Sequence, residues 1–348
     1  MPGPNSADTE RGASDTAQSG EFAAIERLAA ALGSAGARLV PGEVGIGDDA
    51  AVLIPSRRHL MVTTDLTVEG VHFDSVLVAS ADVGWRAVAV AVSDIAAMGG
   101  APTHVVVALA GPADTDVDGI YAGIGEASKS FGCPVVGGDL SQSVRLTLAV
   151  TVIGAVDDGS DPVLRSGARP GDRLWVTGPV GGAAAGLRML RARPDASGPA
   201  VDAHRRPRPR LAEGRVARLA GATAMIDVSD GLLADVGRLA AASGVGFRLD
   251  DVPAAPGAAL EEALAGGDDY ELVFAVPTTE FATDGELEEM FARAGLSRPF
   301  PIGECVLEVG ARTLWGEEVA LVGWEHSFVG PARPAGTTTA MPDEEAHR

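Results

Sequence analysis

Lysine is almost missing from this 348-residue chain: Lys129 is the only one. Cationic work therefore falls to arginine and histidine. A phosphate loop of the Gly-x-x-x-x-Gly-Lys-[Ser/Thr] kind would have no lysine to end on, and none is present. No Gly-x-Gly-x-x-Gly of the dinucleotide type follows the first predicted strand either. Cysteine is scarce. Cys133 and Cys305 form no metal-binding spacing and no disulfide framework, so a reduced, cytoplasmic setting is the expectation. Basic residues are outnumbered, 27 Lys and Arg against 48 Asp and Glu, for a net charge of −21. That excludes nucleic acid as a partner, because its phosphates must be neutralised by basic side chains. No apolar run is long enough to span a membrane, and the N-terminus lacks the charged-then-apolar layout of a signal peptide.

What remains is the composition of a globular protein, 46% hydrophobic and 22% charged, with length enough for two domains. Residues 1–19 and 331–348 are rich in small, polar and proline residues and read as disordered tails. A Gly-, Pro- and Asp-rich stretch, Asp157–Gly171, marks the boundary between a domain over 20–157 and another over 158–330. In the first, periodicity predicts a helix from about Glu21 to Leu32 and a strand, Leu60–Thr64, ending at Thr-Thr-Asp. A long apolar helix (Ala81–Ala97), a strand (Thr103–Ala110), a helix (Asp116–Phe131), a short strand (Val135–Val136) ending in Gly-Gly-Asp and a strand within Arg145–Val156 follow. The second has strands at Arg173–Thr177, Ala224–Ile226, Gly246–Leu249 and Glu271–Val276, with more in 300–315. Its helices run from Gly182 through Leu190 and over Leu232–Ala242. Residues 193–209, rich in Pro and Arg, read as a surface loop of solvated arginines.

Acidic stations punctuate this pattern: Gly47-Asp48-Asp49, Thr63-Thr64-Asp65, Ser93-Asp94, Gly137-Gly138-Asp139 and Asp227-Val228-Ser229-Asp230. Nearly all stand at a predicted strand end or helix start. Each has an ordinary reading alone. Gly-Asp pairs make turns, Ser, Thr and Asp cap helices, and Asp94 could pair with a buried arginine. Together they say more. Carboxylates about 4 Å apart repel by roughly 4 kcal/mol at an effective dielectric of about 20, so a fold that converges them must hold cations between them. Oxygen ligands without His or Cys spacing suit Mg²⁺ rather than zinc. The Gly178–Gly182 turn is as well explained by close helix–strand packing as by phosphate binding.

In this order, with Gly20-Glu21-Phe22, Glu69-Gly70-Val71-His72-Phe73, Ser93-Asp94-Ile95-Ala96-Ala97-Met98-Gly99, Gly266-Gly267-Asp268-Asp269-Tyr270-Glu271-Leu272 and Gly323-Trp324-Glu325-His326, the stations resemble the thiamine-monophosphate kinase family. That family belongs to the larger group that includes aminoimidazole ribonucleotide synthetase. The resemblance implies an α/β (α+β) fold of two domains. An N-terminal mixed sheet would form a barrel-like core of a homodimer, and a C-terminal α/β domain would complete it. It implies ATP and several Mg²⁺ in the cleft between domains, with thiamine monophosphate as acceptor. Carried over by position, Asp48, Thr63, Thr64, Asp65, Asp94, Asp139, Asp227 and Asp230 match metal ligands, of which Asp65, Asp94 and Asp139 carry the chemistry. Tyr121, Gly138, Asp139, Arg165 and Ser229 match positions contacting ATP. His72, Asp268 and Trp324 match positions near the substrate. Asp268 is a departure, since the family usually has Glu there.

The implied reaction needs no general base, because a phosphate monoester is already ionised near pH 7. It needs charge neutralisation and alignment. A synthetase of the same group is the alternative. Its relatives in selenophosphate synthesis and hydrogenase maturation would want a reactive cysteine near the N-terminus or at the C-terminus, and neither is present. A non-catalytic nucleotide-binding protein is the alternative from another class.

Overall fold

A computed structural model of the chain describes residues 27–33, 43, 53, 59–156, 160–279 and 284–325. Residues 27–33 are helical, within and just beyond the predicted first helix. The predicted tails, Gly20–Phe22, Asp48 with the rest of its station, and His326 lie outside the described residues.

The first unit runs β1 (Leu60–Val68), α1 (Ser80–Ala97), β2 (Ala101–Gly111), α2 (Val117–Phe131), β3 (Val135–Gln142) and β4 (Thr147–Ala155). Its sheet has the order β1-β4-β2-β3. Strand β4 is antiparallel to both neighbours, whereas β2 and β3 are parallel, as a helical crossover through α2 allows. The helices cover one face and pack closely on each other. A Cβ at Gly84 would lie 1.9 Å from the Ile120 carbonyl oxygen, and one at Gly123 1.7 Å from that of Ala81. On the opposite face, Leu60, Val62 and Leu66 of β1 are 60%, 63% and 57% exposed.

Two strands run further than the sequence pattern predicts. Strand β1 does not stop at Thr64; its whole length is laddered to β4, from Leu60 opposite Ala155 to Val68 opposite Thr147. Thr-Thr-Asp therefore sits mid-strand. Strand β3 likewise passes through Gly137-Gly138-Asp139 rather than ending there, paired in parallel with Val106–Ala108 of β2.

The second unit runs β5 (Asp172–Val176), α3 (Gly182–Ala192), α4 (Pro199–Arg205), α5 (Leu211–Leu219), β6 (Ala224–Asp227), α6 (Leu232–Ser243), β7 (Gly246–Leu249), α7 (Leu260–Ala265), β8 (Leu272–Pro277), α8 (Asp284–Arg293), β9 (Phe300–Val306), β10 (Arg312–Leu314) and β11 (Glu317–Glu318). Its strands form one sheet in the order β11-β10-β7-β9-β5-β8-β6. Leu174 and Val176 pack with Leu232, Val236 and Leu239 on one side. Trp175, between them, packs with Phe274, Phe291 and Ala217 on the other. A sheet covered on both faces explains why these strands read as apolar runs rather than alternations.

The 193–209 segment is not a solvated loop. It contains α4, and Arg206 ties it to the first unit through Asp82 at 2.5 Å and Glu126 at 2.6 Å. Arg206 also lies over the Trp85 ring, 5.3 Å from its centroid. Helix α1 continues the connection. Ala96 and Ala97 enter the Trp175–Phe274 cluster, and Arg218 of α5 donates to the Gly99 carbonyl at 3.0 Å. The two sheets thereby face each other across α1.

Candidate active site

Between the units lies an open cleft of about 640 Å³. Its lining includes Asp65, His72, Asp94, Asp227, Ser229, Asp230, Asp268 and Trp324. These come from β1, the turn after it, α1, the end of β6 and the loop that follows it, the loop before β8 and the segment after β11.

The acidic wall is built by local periodicity. In β1, successive side chains point to opposite faces, so Thr63 and Asp65 look inward toward α1. Asp94 is on the α1 face that also presents Arg86 and Val90 to the cleft, at four-residue intervals. The Thr63 hydroxyl donates to Asp94 Oδ2. Next to it, fully buried Ser93 donates to Asp227 Oδ2 at 2.7 Å. Carboxylates from both sheets are thus gathered on one wall, and their protonation shows the strain. Burial, then the charge of Asp94, pushes Asp65 up to about 6. Burial, then Asp94, and to a smaller extent Asp235 and Asp65, pushes Asp227 up to about 7, against the pull of the Ser93 hydroxyl. Burial also raises Asp94, although the Thr63 hydroxyl and the Arg165 charge pull it down. Among the described residues, no three such groups already stand close enough to cage a metal; the wall is an open set of oxygens.

The Asp227–Gly231 loop is held from beneath. Buried Asp235 Oδ2 accepts the backbone N–H groups of Ser229, Asp230 and Gly231 at 3.0, 3.0 and 3.1 Å. Arg238 bridges Asp235 and Asp230, 2.5 Å from each. Gly231, not Ser229 or Asp230, is the N-cap of α6, which leaves those two side chains to the cleft. The loop before β8 leans on this one. Asp268 N donates to Ser229 O at 2.8 Å and Tyr270 N to Val228 O at 2.9 Å. Asp268 and Tyr270 both adopt left-handed backbone, φ 70° and 53°, on the order of 1 kcal/mol or more of strain each. Across the cleft mouth, the Trp324 amide donates to Asp230 O at 2.9 Å, and its ring remains 53% exposed. His72 Nδ1 accepts the Val68 amide at 3.0 Å, so a neutral ring carries its proton on Nε2.

Other expected site residues stand apart. Thr64 faces the opposite side of the sheet, where its hydroxyl accepts from Thr151 at 3.1 Å. The alternation of β1 prevents Thr63, Thr64 and Asp65 from reaching one centre by their side chains. Tyr121, Gly138 and Asp139 line a separate hollow of about 70 Å³ with Leu28 and Leu140. Burial, then the Asp139 charge, raises the Tyr121 phenol to about 12. Gly138 has a packing reason to be glycine, since a Cβ there would meet the Val107 carbonyl oxygen of β2 at 1.9 Å. Arg165 does not line the cleft but acts on Asp94 through its charge. The Gly178–Gly182 turn is closed to phosphate. Asp269 occupies the α3 N-terminus, accepting from Gly181 N and, at 3.1 Å, from Ala183 N.

Sequence reading missed Arg86, His204, Asp235 and Arg238. Arg86 was the legible one: it is a charge eight residues before Asp94, with only apolar residues and Ser93 between them. Asp235 offered no signal beyond a polar residue in the first turn of α6.

Residues 47–156 match the family model described as AIR synthase related protein, N-terminal domain, and residues 169–308 match its C-terminal domain. The thiamine-monophosphate kinase of Bacillus subtilis strain 168 is 36% identical over 258 residues, which span 69% of this chain and 79% of that protein. The crystal structure of thiamine-monophosphate kinase from Stenotrophomonas maltophilia K279a superposes with a TM-score of 0.72 at 33% identity, over 86% of this chain and 98% of that one. A structure of AaThiL complexed with AMPPCP and TMP superposes with a TM-score of 0.67 at 31% identity, over 88% and 97%.

Proposed function

Since the chain belongs to the thiamine-monophosphate kinase family, we propose that it transfers the γ-phosphoryl group of ATP directly to thiamine monophosphate, giving ADP and thiamine diphosphate. The observation that carries the reading of the site is the gathering of Asp65 and Asp227, one from each sheet, with Asp94 of α1 on one wall of the cleft.

The donor set fits Mg²⁺. It is all oxygen, and its carboxyls are lifted by burial and by one another, so a cation would relieve them. Asp65, Asp94, Asp227 and Asp230 are the residues we assign to hold it, with Asp48, Asp139 and the Thr63 and Thr64 positions as the family pattern's further ligands. When bound, Mg²⁺ supplies the positive charge that lets two phosphate anions approach. The protein's own residues do the rest. Arg165 adds a fixed positive charge near Asp94 and suits phosphate, which guanidinium grips bidentately. Ser229 offers its hydroxyl from a loop whose amides Asp235 has already fixed. Tyr121, Gly138 and Asp139, in their separate hollow, match the family's nucleotide contacts and would hold the nucleotide there. His72, Asp268 and Trp324 face the acceptor, and the exposed Trp324 ring can stack on its cationic ring. The acceptor's oxygen is ionised, so no base is needed.

The chain would act as a homodimer in the cytoplasm. The sheet face with Leu60, Val62 and Leu66 is what a second copy would cover, since exposed apolar patches mark interfaces.

The test is formation of thiamine diphosphate from thiamine monophosphate and ATP, with and without Mg²⁺. Mg²⁺-dependent product is expected; folded protein that binds ATP yet makes none would discard the kinase reading in favour of a synthetase. A burst of phosphorylated enzyme in a single turnover would refute direct transfer.

A further inference from the structure

Asp268 reaches the cleft with 35% of its side chain exposed, yet both its oxygens are taken. Oδ2 is 2.6 Å from Arg86 Nη2, and Oδ1 accepts from the Tyr270 hydroxyl at 3.0 Å. Both partners are buried, Arg86 at 1% and Tyr270 at 8% exposure. Arg86 Nη1 donates in turn to the His204 carbonyl at 2.5 Å. One guanidinium, rooted in α1 of the first unit, is therefore pinned to α4 and to the loop before β8 in the second. The left-handed backbone at Asp268 and Tyr270 persists only where surrounding contacts over-determine it, and this bridge supplies them.

We propose that Arg86 and Tyr270 are positioning residues for the acceptor: they fix the Asp268 carboxylate in the cleft and so set the affinity for thiamine monophosphate through it. This rests on the reading of Asp268 as a substrate-facing residue. A carboxylate already immobilised loses no rotamer freedom when the ligand arrives, so its interaction is delivered in full. The planar fork serves Asp268 from Nη2 and the His204 carbonyl from Nη1, two fixed points that a single ammonium nitrogen does not reproduce. The aspartate is also the length that meets both partners here; the glutamate usual at this position would carry its carboxylate one methylene further.

The test uses the full chain. Thiamine monophosphate is titrated by calorimetry without ATP, and KM and kcat are measured for each substrate. Tyr270→Phe deletes one hydroxyl; Arg86→Lys keeps the charge but loses the fork. Each is expected to raise Kd and KM for thiamine monophosphate about tenfold, as for loss of a hydrogen bond to a charged group, with KM for ATP unchanged. Asp268→Asn is the reference. If it weakens binding while both other variants bind as wild type, positioning is overturned and the role of Asp268 stands. If Asp268→Asn itself binds as wild type, the reading of Asp268 falls and the inference with it. Equal weakening toward ATP would mark a general loosening of the cleft and also overturn it. Should Arg86→Lys not fold, Tyr270→Phe decides.

Discussion

Replacing Asp227 with asparagine is expected to stabilise the metal-free protein at neutral and higher pH while abolishing turnover. Asp227 is 6% exposed. Burial, and then the charge of Asp94, lifts its carboxyl from the ordinary 3.8 to about 7. Between those values the folded chain keeps a proton that the unfolded chain has released. The stabilising contribution is fully present below about pH 4 and is lost as pH rises through 7. Fully ionised, the buried group costs the fold about 4 kcal/mol. Asparagine removes the charge but retains an oxygen for the Ser93 hydroxyl, which lies 2.7 Å from Oδ2 in the parent. Urea unfolding in chelator from pH 5 to 8 should show the parent losing about 3 kcal/mol more than Asp227→Asn. Asp65, lifted to about 6, adds slope to both proteins. Mg²⁺ at pH 8 should restore much of the parent's stability and little of the variant's. Parallel pH slopes for the two proteins would refute the claim that this wall stores repulsion.

Two further outcomes follow from the same geometry. Asp94→Asn should lower kcat by orders of magnitude with the circular dichroism spectrum unchanged, and wild-type turnover at saturating Mg²⁺ would remove Asp94 from the ligand set. A Val62→Glu, Leu66→Glu double variant should sediment as a monomer where the parent sediments as a dimer; unchanged sedimentation would mean that this sheet face is not the interface.

The carboxylate wall was legible because charges in apolar surroundings are costly and so need a reason. Asp94 inside Ala87–Met98 is such a charge, and Asp227 at the end of a buried strand is another. What the sequence hid was the facing of each residue. Thr63-Thr64-Asp65 reads as one cluster, but once β1 runs on to Val68 the pleat sends Thr64 away from its neighbours. Gly138 reads as a ligand-approach glycine, yet the β2 carbonyl behind it already requires one. The support beneath the site was hidden for a different reason. Three of the partners of Asp235 are backbone amides, which carry no sequence signature, and those of Arg86 lie on elements distant in the chain. Arg206 looks as solvated in composition as its neighbours because nothing local announces Asp82, Glu126 or Trp85 as its partners.

The near-absence of lysine acquires a physical sense in the cleft. A buried ammonium sheds its proton when desolvated and would lose the charge it was placed to supply. Guanidinium keeps its proton in the same surroundings and spreads its charge over a fork. Arg86 at 1% exposure can therefore stand as a permanent cation between Asp268 and the His204 carbonyl, and Arg238 between Asp230 and Asp235. Burial and the Arg86 charge depress neighbouring His204 to about 4, so it stays neutral and does not compete for the same carboxylate. Fixed arginines thus hold the loops in place, while the carboxylates around Asp94 are left under-neutralised. That division concentrates unmet negative charge at Asp65, Asp94 and Asp227, where a divalent cation would be drawn. A lysine in the buried place of Arg86 would be open to losing its proton and would blur it.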